Sequence, residues 1–210
     1  MSVVSNQSPA RLSVAFIGFG DAAIAFAKGW SGQPEIGLCA YDIVTETMGD
    51  VRSKKLLEYR MHGVKGFDTA ADAVENANIV FSLVTADQAL NAAKSVADNL
   101  KENALYFDCN SCAPQTKRTA AALFENCAGA YVDVAIMAPI YPNMHQTPVL
   151  VSGPNAAQAT KAMDRLHMSA SVTVGDIGAA SSIKMVRSIM VKGLEALVAE
   201  CVLAGQKAGV

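Results

Sequence analysis

Residues 12–30, LSVAFIGFGDAAIAFAKGW, constrain the fold of this chain more than any other stretch. An apolar run, Val14–Ile17, leads directly into Gly18, Phe19 and Gly20, and an alanine-rich segment follows. A strand, a glycine turn and a helix start in this order are typical of a dinucleotide-binding βα unit, whereas the glycine spacing alone is common by chance. The pattern therefore predicts a dinucleotide site. The alternative is an ordinary βα turn of an α/β domain.

Each small residue of this turn has a predicted role. Gly18 allows the tight turn, Gly20 lets the backbone approach a pyrophosphate, and Ala23 is small enough for the helix to pack on the strand. Unpaired N–H groups and the positive end of the helix dipole then face the phosphates. The predicted cofactor-binding residues at the turn are Gly18, Phe19, Gly20, Asp21, Ala22 and Ala23.

Asp42 carries the prediction of the cofactor. It ends the predicted second strand, about 20 residues beyond Gly20, where a carboxylate accepts hydrogen bonds from the adenosine ribose. A carboxylate there favours NAD because it would repel the 2′-phosphate of NADP. Ala23, in place of a third glycine, is by association often seen with NADP. The charge argument favours NAD, and NADP is the alternative.

Strand-like runs alternate with helical segments as far as Ile136, which predicts an α/β Rossmann fold with a doubly wound, mostly parallel sheet. The later predicted strands are Glu35–Asp42, Gly63–Phe67, Asn78–Val84, Leu105–Phe107, Ala130–Ile136, Pro148–Ser152 and Ser171–Val174. The predicted helices among them are Lys54–Arg60, Asp68–Asn76, Ala89–Leu100, Pro114–Glu125 and Ala156–His167.

The last segment, Gly178 to Gly209, lacks proline and carries apolar residues at helical spacing. It predicts one helix of roughly 30 residues, about 45 Å long. A helix so long and apolar needs a second surface to cover it. Either the chain forms a homodimer through this helix, or it is a fragment that lacks a helical C-terminal domain. The predicted organisation is a disordered tail (1–11), a dinucleotide-binding Rossmann domain (12–177) and the long helix (178–210).

The composition excludes several classes of function. With 17 basic and 19 acidic residues, the net charge of −2 gives no electrostatic footprint for nucleic acid or an anionic membrane. No apolar run reaches the roughly 18 residues of a membrane span. Five cysteines, an odd number, fit the reduced thiols of a cytoplasmic protein. Cys109 and Cys112 form a CxxC without a second pair, so no metal site is predicted.

Four segments together resemble one family: GFGDAAIAFA, FDCNSCAPQTKR, YVDVAIMAP and AASSIKMVRS. Their order and spacing are similar to those of the β-hydroxyacid dehydrogenases, the superfamily of 3-hydroxyisobutyrate dehydrogenase and 6-phosphogluconate dehydrogenase. The resemblance covers residues 12–210 and is closer to an uncharacterised, phosphogluconate-dehydrogenase-like branch. It implies a Rossmann domain, a long interdomain helix and an all-helical C-terminal domain. It also implies NAD(P)-dependent oxidation of a small 3-hydroxy acid, or a related compound, by hydride transfer.

The resemblance also assigns site residues. Lys184 matches the family's catalytic lysine near the start of the long helix, and an amine of lowered pKa there can accept the proton of a substrate hydroxyl. Without the resemblance, Lys184 would be interpreted as a solvated helix residue. Val84 and Thr85 match the strand end that contacts the cofactor. Asn110 and Ser111 match a loop that contacts the substrate or the nicotinamide.

The chain departs from the family pattern in the substrate loop and the long helix. Met137, Ala138 and Pro139 replace an SGG segment, which removes a hydroxyl and backbone donors for a carboxylate. Val191 replaces the acid that phosphogluconate dehydrogenase uses in decarboxylation, so decarboxylation is not expected. Arg187, which replaces a histidine of that enzyme, is either a clamp for a carboxylate or phosphate or a surface residue.

Two other functions stay open at this point. The altered loop permits a less acidic ligand, so imine or ketone reduction on the same framework is one alternative. The other is a dinucleotide-binding sensor or subunit without catalysis. His145, which follows the proline-rich turn, is interpreted as a solvated loop residue, with a role in the cleft as the alternative.

Overall fold

The structure, a computed structural model, describes residues 11–210 and centres on one sheet of eight strands. The strands are β1 Leu12–Ile17, β2 Ile36–Tyr41, β3 Lys65–Gly66, β4 Ile79–Ser82, β5 Leu105–Asp108, β6 Ala130–Ile136, β7 Val149–Ser152 and β8 Ala170–Val172. Their order across the sheet is β3-β2-β1-β4-β5-β6-β7-β8. β1 to β6 are parallel, β7 is antiparallel to β6, and β8 is parallel to β7. The predicted doubly wound, mostly parallel sheet is confirmed.

Helices cover both faces of the sheet. They are α1 Asp21–Gly29, α2 Asp50–Met61, α3 Ala70–Val74, α4 Ala89–Lys94, α5 Pro114–Ala122, α6 Ala156–Arg165 and α7 Ala179–Ala208. Short 3₁₀ turns lie at Ile43–Glu46, Ala97–Asn99 and Met144–Gln146. α2 begins earlier than predicted, and α4 ends earlier because the chain turns into a 3₁₀ segment. The predicted disordered tail falls, apart from Arg11, outside the described residues.

Two hydrophobic layers sandwich the sheet. On one face, Phe16, Trp30, Phe81 and Phe107 are fully or almost fully buried, and the rings of Phe81 and Phe107 meet edge to face at 5.1 Å. The other face buries a second cluster under α3, α4 and α5. Burial on both faces explains why the strands read as nearly continuous apolar runs.

The long helix α7 is confirmed as one element, Ala179–Ala208. Only Ala180 and Ser181 in it are buried, and the apolar side chains of its later turns are exposed in this chain; Ile189, for example, is 74% exposed. None of the helices within residues 11–210 combines the length and the apolarity that crossing a membrane would take.

Candidate functional site

The glycine turn between β1 and α1 is shaped to admit a ligand at the helix N-terminus. Gly18 has a φ of +84°, and a Cβ on it would lie 2.6 Å from the carbonyl oxygen of Leu83, so only glycine fits. Gly20 precedes α1, and a Cβ there would meet no atom within 4 Å, so the space beside it is open. Phe19 buries its ring against Tyr59, with 5.0 Å between centroids, and offers the site only its backbone.

Asp42 follows β2 and is tied to the same turn. Its Oδ2 accepts a hydrogen bond of 2.7 Å from the backbone N–H of Phe19, and its Oδ1 accepts one of 2.9 Å from Val44. A carboxylate has about four acceptor positions, so capacity remains for the two hydroxyls of a ribose. Asp42 therefore orders the glycine turn and leaves the remaining acceptor positions of its carboxylate available beside it.

A cleft of about 570 Å³ opens at the carboxyl ends of β1, β2 and β4. It is lined by Ile17, Gly18, Gly20, Tyr41, Asp42, Ile43, Leu83, Val84, Thr85, Gln88, Asn91, Ala92 and Ser95. The structure thus brings together five predicted cofactor residues from three strand ends. Of the other predicted residues of the turn, Asp21 is exposed, Ala23 is a buried residue of α1, and Ala22 lines a neighbouring cleft.

The charges around this cleft bear on which dinucleotide fits. Among its described lining residues there is no lysine or arginine. Arg52 is paired with Asp68 at 2.6 Å, and Lys55 donates a 2.7 Å hydrogen bond to the carbonyl of Phe19. The open helix N-terminus and the acceptor edge of Asp42 fit a pyrophosphate and an adenosine ribose.

Lys184 reaches the same edge of the sheet from the second turn of α7. Its Nζ donates a hydrogen bond of 2.6 Å to Oγ of Ser111, which follows β5. Burial and the nearby ammonium of Lys117 lower the pKa of Lys184. The structure therefore joins two residues that lie far apart in the sequence and that the resemblance assigns to one site.

A second cleft, of about 350 Å³, surrounds this pair. Its lining consists of Asn110, Ser111, Cys112, Ala113, Ala135, Ser181, Lys184, Met185, Ser188, Ile189 and Lys192. The thiols of Cys109 and Cys112 are free and buried. Burial raises the pKa of Cys109 to about 12, so this thiol is neutral at physiological pH. Ser188 stands where the resembling family has an asparagine four residues after the lysine. Met185 and Lys192 were not singled out from the sequence, although the spacing of Lys192, two turns after Lys184 on one helix, could have indicated it.

Asn110 lies between the two clefts and lines the second. Its Oδ1 accepts a 2.7 Å hydrogen bond from the backbone N–H of Val84, and its Nδ2 donates to Ser82 at 2.9 Å and to Asp108 at 2.8 Å. The amide is thus occupied on every side, and the residue is buried. In this structure Asn110 therefore holds the segment after β4, at Val84, against the segment after β5 that carries Ser111.

The altered loop borders a third cleft of about 460 Å³, which Lys184 also lines. Met137, Ala138 and Pro139 form one wall, and Arg187 donates a 2.5 Å hydrogen bond to the carbonyl oxygen of Met137. Arg187 therefore lines this cleft, where it holds the loop.

A buried charge cluster adjoins the site and was missed from the sequence. Lys117 of α5 is 0% exposed, and its Nζ lies 2.9 Å from Oδ1 of Asp108 and 3.5 Å from Oδ1 of Asp133. Burial disfavours the ammonium, but the two carboxylates outweigh it and raise the pKa of Lys117. The signal in the sequence was an acid inside each of two apolar strands, because a buried carboxylate needs a partner.

His145 is not the solvated loop residue that the sequence predicts. It is 9% exposed and packs against Trp30, with 5.8 Å between ring centroids, and against Gly29 at the end of α1. Burial, and secondarily the charge of His167, lower its pKa. Because the glycine turn lies at the opposite end of α1, this position gives His145 no contact with the cofactor cleft.

The doubly wound sheet, the glycine turn at a helix N-terminus and the acid after β2 define a Rossmann dinucleotide-binding domain. Residues 13–178 match the family described as the NAD binding domain of 6-phosphogluconate dehydrogenase. The chain belongs to this family and, with it, to the β-hydroxyacid dehydrogenase superfamily.

Two solved structures share more than a quarter of their aligned residues with the chain. A conserved hypothetical protein from Sinorhizobium meliloti 1021 is 34% identical, with a TM-score of 0.82 over 95% of this chain and 66% of its own. The conserved protein MTH1747, of unknown function and described as structurally similar to 3-hydroxyacid dehydrogenases, is 29% identical, with a TM-score of 0.76 over 95% and 72%. The chain thus spans about two thirds of the length of the Sinorhizobium protein.

More distant structures share the fold. Mycobacterium tuberculosis 3-hydroxyisobutyrate dehydrogenase, solved with L-serine, is 17% identical, with a TM-score of 0.79 over 94% of this chain and 66% of its own. An imine reductase from Myxococcus stipitatus, in complex with NADP⁺, is 19% identical, with a TM-score of 0.76 over 94% and 67%. At these identities the likeness establishes the architecture alone.

Proposed function

We propose that the protein is an NAD-dependent oxidoreductase that oxidises the hydroxyl of a small 3-hydroxy acid, or a related compound, without decarboxylation. The observation that carries the proposal is the 2.6 Å contact between Lys184 Nζ and Ser111 Oγ. The contact lies at the sheet edge that also bears the glycine turn and Asp42, so a substrate beside it would adjoin a dinucleotide in the neighbouring cleft.

Lys184 is the general acid/base of this proposal. Because its pKa is lowered, its amine becomes neutral at a lower pH than that of an exposed lysine, and the neutral amine can accept the hydroxyl proton. Ser111 accepts a hydrogen bond from Lys184 and has its own proton to offer a substrate oxygen. When bound, NAD would supply the acceptor for the hydride that leaves the carbinol carbon.

The charged residues that line the second and third clefts support an anionic substrate. Lys184 and Lys192 line both clefts, and Arg187 and one acid, Glu195, line the cleft beside the altered loop, so basic residues outnumber acidic ones there. Val191, which also lines that cleft, cannot donate a proton, so it offers no support for decarboxylation. A short acid with its carboxylate toward these cations would place its hydroxyl near Lys184.

NAD is favoured over NADP by charge. Asp42 lines the adenosine end of the cleft, and Glu46, which accepts a hydrogen bond from the hydroxyl of Tyr41, adds a second carboxylate nearby. The neighbouring cations Arg52 and Lys55 are already paired with Asp68 and Glu58. A 2′-phosphate would therefore meet negative charge without a free basic partner.

A second candidate is the reduction of an imine or ketone on the same framework. The cleft beside the loop is walled by Ile136, Ala138, Pro139 and Ile140, and Arg187 is already bonded to Met137. Such a wall suits an uncharged, apolar substrate better than a carboxylate. The chain shares its fold with an imine reductase, which agrees with this second candidate.

The deciding experiment is an activity panel of 3-hydroxy acids with NAD and NADP, run with Lys184→Ala and with Lys207→Ala, a change at an exposed lysine in the last turn of the same helix. We expect turnover with NAD that falls by about 10²- to 10⁴-fold in Lys184→Ala, the range of a lost general acid/base. Calorimetric NAD binding should be unchanged, and Lys207→Ala should match wild type.

Other outcomes of this panel lead to the alternatives. Turnover of cyclic imines or ketones alone would favour the second candidate. Intact NAD binding with no turnover of any compound would indicate a dinucleotide sensor. Activity that survives Lys184→Ala would remove Lys184 from the mechanism.

We also propose that α7 pairs with a second copy of this chain. Its exposed apolar side chains repeat at helical spacing over several turns, which is typical of a helix that is covered by another surface.

A further inference from the structure

Asp133 ties α7 to the sheet from inside the protein. Its Oδ2 accepts hydrogen bonds of 2.9 Å from the backbone N–H of Gly178 and from Oγ of Ser152, and its Oδ1 accepts one of 2.8 Å from Oγ of Ser181. Ser181 lies three residues before Lys184 and therefore on the same side of the helix. The first turn of α7 is thus fixed to β6 and β7 immediately ahead of Lys184.

Asp108 fixes the other partner of the catalytic contact. Its Oδ1 accepts a 3.0 Å hydrogen bond from the backbone N–H of Asn110, and its Oδ2 accepts one of 2.7 Å from the hydroxyl of Tyr131. Lys117 donates to the same Oδ1 at 2.9 Å and to the carbonyl oxygen of Asp108 at 2.5 Å. The segment from Asp108 to Ser111 is therefore fixed at Asp108.

One ammonium joins these two anchors. Lys117 lies between Asp108, which fixes the Ser111 segment, and Asp133, which fixes the start of α7. All three side chains are 0% exposed. A charge so deeply buried is retained only where its partners compensate it, and here the partners belong to the two halves of the catalytic pair.

We propose that Lys117 is a positioning residue, whose buried ammonium joins the two anchors and thereby holds Lys184 against Ser111. The same ammonium also acts on Lys184 through its charge, which lowers the pKa of the Lys184 amine. The role assigned to Lys184 rests on the proposed function, whereas its position and its titration do not. The proposal can therefore be tested without substrate or cofactor.

Lys117 of α5 and Cys109 after β5 act on Lys184 through their charges. Cys112 and Lys192 line the second cleft with Lys184, and Arg187 and Glu195 line the third with it. Asp108 and Asp133 pair with the ammonium of Lys117. β7 contributes no charged side chain. Among these groups, the ammonium of Lys117 lowers the pKa of Lys184, and the Cys109 thiolate would raise it, but burial keeps this thiol neutral.

The experiment measures the pH dependence of Lys184 acetylation by acetic anhydride, competed against free phenylalanine and quantified by mass spectrometry. Lys117→Met should raise the labelling pKa of Lys184 by about one unit, since a like charge is removed. Asp133→Asn should lower it, since an opposite charge is removed and the ammonium remains. Shifts of opposite sign are not expected of residues that only stabilise the fold.

A matched pair of serine variants tests the mechanical half of the proposal. Ser181→Ala removes the bond to Asp133, whereas Ser182→Ala removes a hydroxyl that donates to the carbonyl oxygen of Gly178, just before the same helix, at 2.7 Å. Ser181→Ala should increase the acetylation rate of the neutral Lys184 amine several-fold, because the side chain is held less firmly. Ser182→Ala should match wild type.

The proposal would be overturned by an unchanged labelling pKa in Asp133→Asn, or by equal effects of the two serine variants. Should Lys117→Met fail to fold, Asp133→Asn, which leaves the Lys117–Asp108 pair intact, still decides the electrostatic half. If the labelling pKa of Lys184 shifts as expected but the protein turns over no 3-hydroxy acid, Lys117 still positions Lys184. Only the proposed function is then contradicted.

Discussion

At the scale of single residues, Asp42 has two functions that one substitution can separate. Its carboxylate orders the glycine turn through Phe19 and presents its remaining acceptors to the cleft. Asp42→Asn keeps an acceptor for the turn but removes the charge. We expect it to weaken NAD binding by about tenfold, the loss of roughly one charge-assisted hydrogen bond, and to narrow the preference for NAD over NADP.

Calorimetric titration of Asp42→Asn with both dinucleotides checks this expectation. Glu46→Gln is the matched control, since it also removes one carboxylate near the adenosine end but leaves the bonds of Asp42 in place. Glu46→Gln should raise the affinity for NADP more than the affinity for NAD, because only NADP carries a 2′-phosphate. An unchanged ratio of the two affinities in Asp42→Asn would contradict the assignment of Asp42 to the ribose.

The sequence indicated the glycine turn and Asp42, which the structure brings together at one cleft, but it did not indicate the buried cluster around Lys117. Gly18, Gly20 and Asp42 could be singled out because their expected roles depend on local spacing along one βαβ unit. Lys117 was not found, because its role depends on two acids that reach it only when β5 and β6 pair side by side. Local patterns carry no direct information on such contacts between distant segments.

At the scale of elements, the two glycines of the β1–α1 turn differ in why glycine is needed. Gly18 is required by the backbone conformation and by neighbouring protein atoms, whereas Gly20 leaves space for a ligand. Gly18→Ala places a methyl group 2.6 Å from a backbone oxygen at a φ of +84°, so we expect a loss of about 1–3 kcal/mol in the free energy of unfolding, together with loss of NAD binding. Gly20→Ala meets no protein atom and should fold as wild type. It should nevertheless bind NAD more weakly, because its methyl group enters the space of the pyrophosphate.

Urea denaturation and calorimetry on both variants test this difference. A Gly20→Ala protein with full NAD affinity would show that the pyrophosphate does not approach this turn. A Gly18→Ala protein as stable as wild type would show that the turn is more adaptable than its geometry indicates.

The direction of β7 is an element-level feature that the sequence did not yield. The alternation of strands and helices predicted parallel pairing as far as Ile136, but no helix separates β6 from β7. Without a crossover helix the chain turns back on itself, so β7 runs antiparallel to β6. The extent of α7, in contrast, followed from its lack of proline, and Gly178 and Gly209 flank it with φ values of +98° and +75°.

At the scale of the whole molecule, the exposed stripe of α7 makes a prediction about association. Ile189 and Leu197 are 74% and 61% exposed in the isolated chain. If α7 pairs with a second copy, the double variant Ile189→Glu/Leu197→Glu should be a folded monomer, because burying carboxylates against an apolar surface is unfavourable. Gln206→Glu, which adds one charge at an exposed polar position of the same helix, should associate as wild type does.

Sedimentation velocity measures this association, and circular dichroism shows whether the variants stay folded. A wild-type chain that sediments as a monomer at micromolar concentration would contradict the pairing. The same result would leave the dinucleotide site unaffected, since its cleft is built from β1, β2 and β4.

The depth of the Lys117 cluster has a consequence for the response of the protein to salt. Mobile ions screen charges across the solvent, with a Debye length of about 8 Å at physiological ionic strength, but they do not enter a region that is 0% exposed. The approach of an anionic acid to the two clefts that Lys184 and Lys192 line should therefore weaken as salt is added. The field that Lys117 exerts on Lys184 should persist, so that ionic strength acts on the binding of the acid and leaves the internal electrostatics of the site in place.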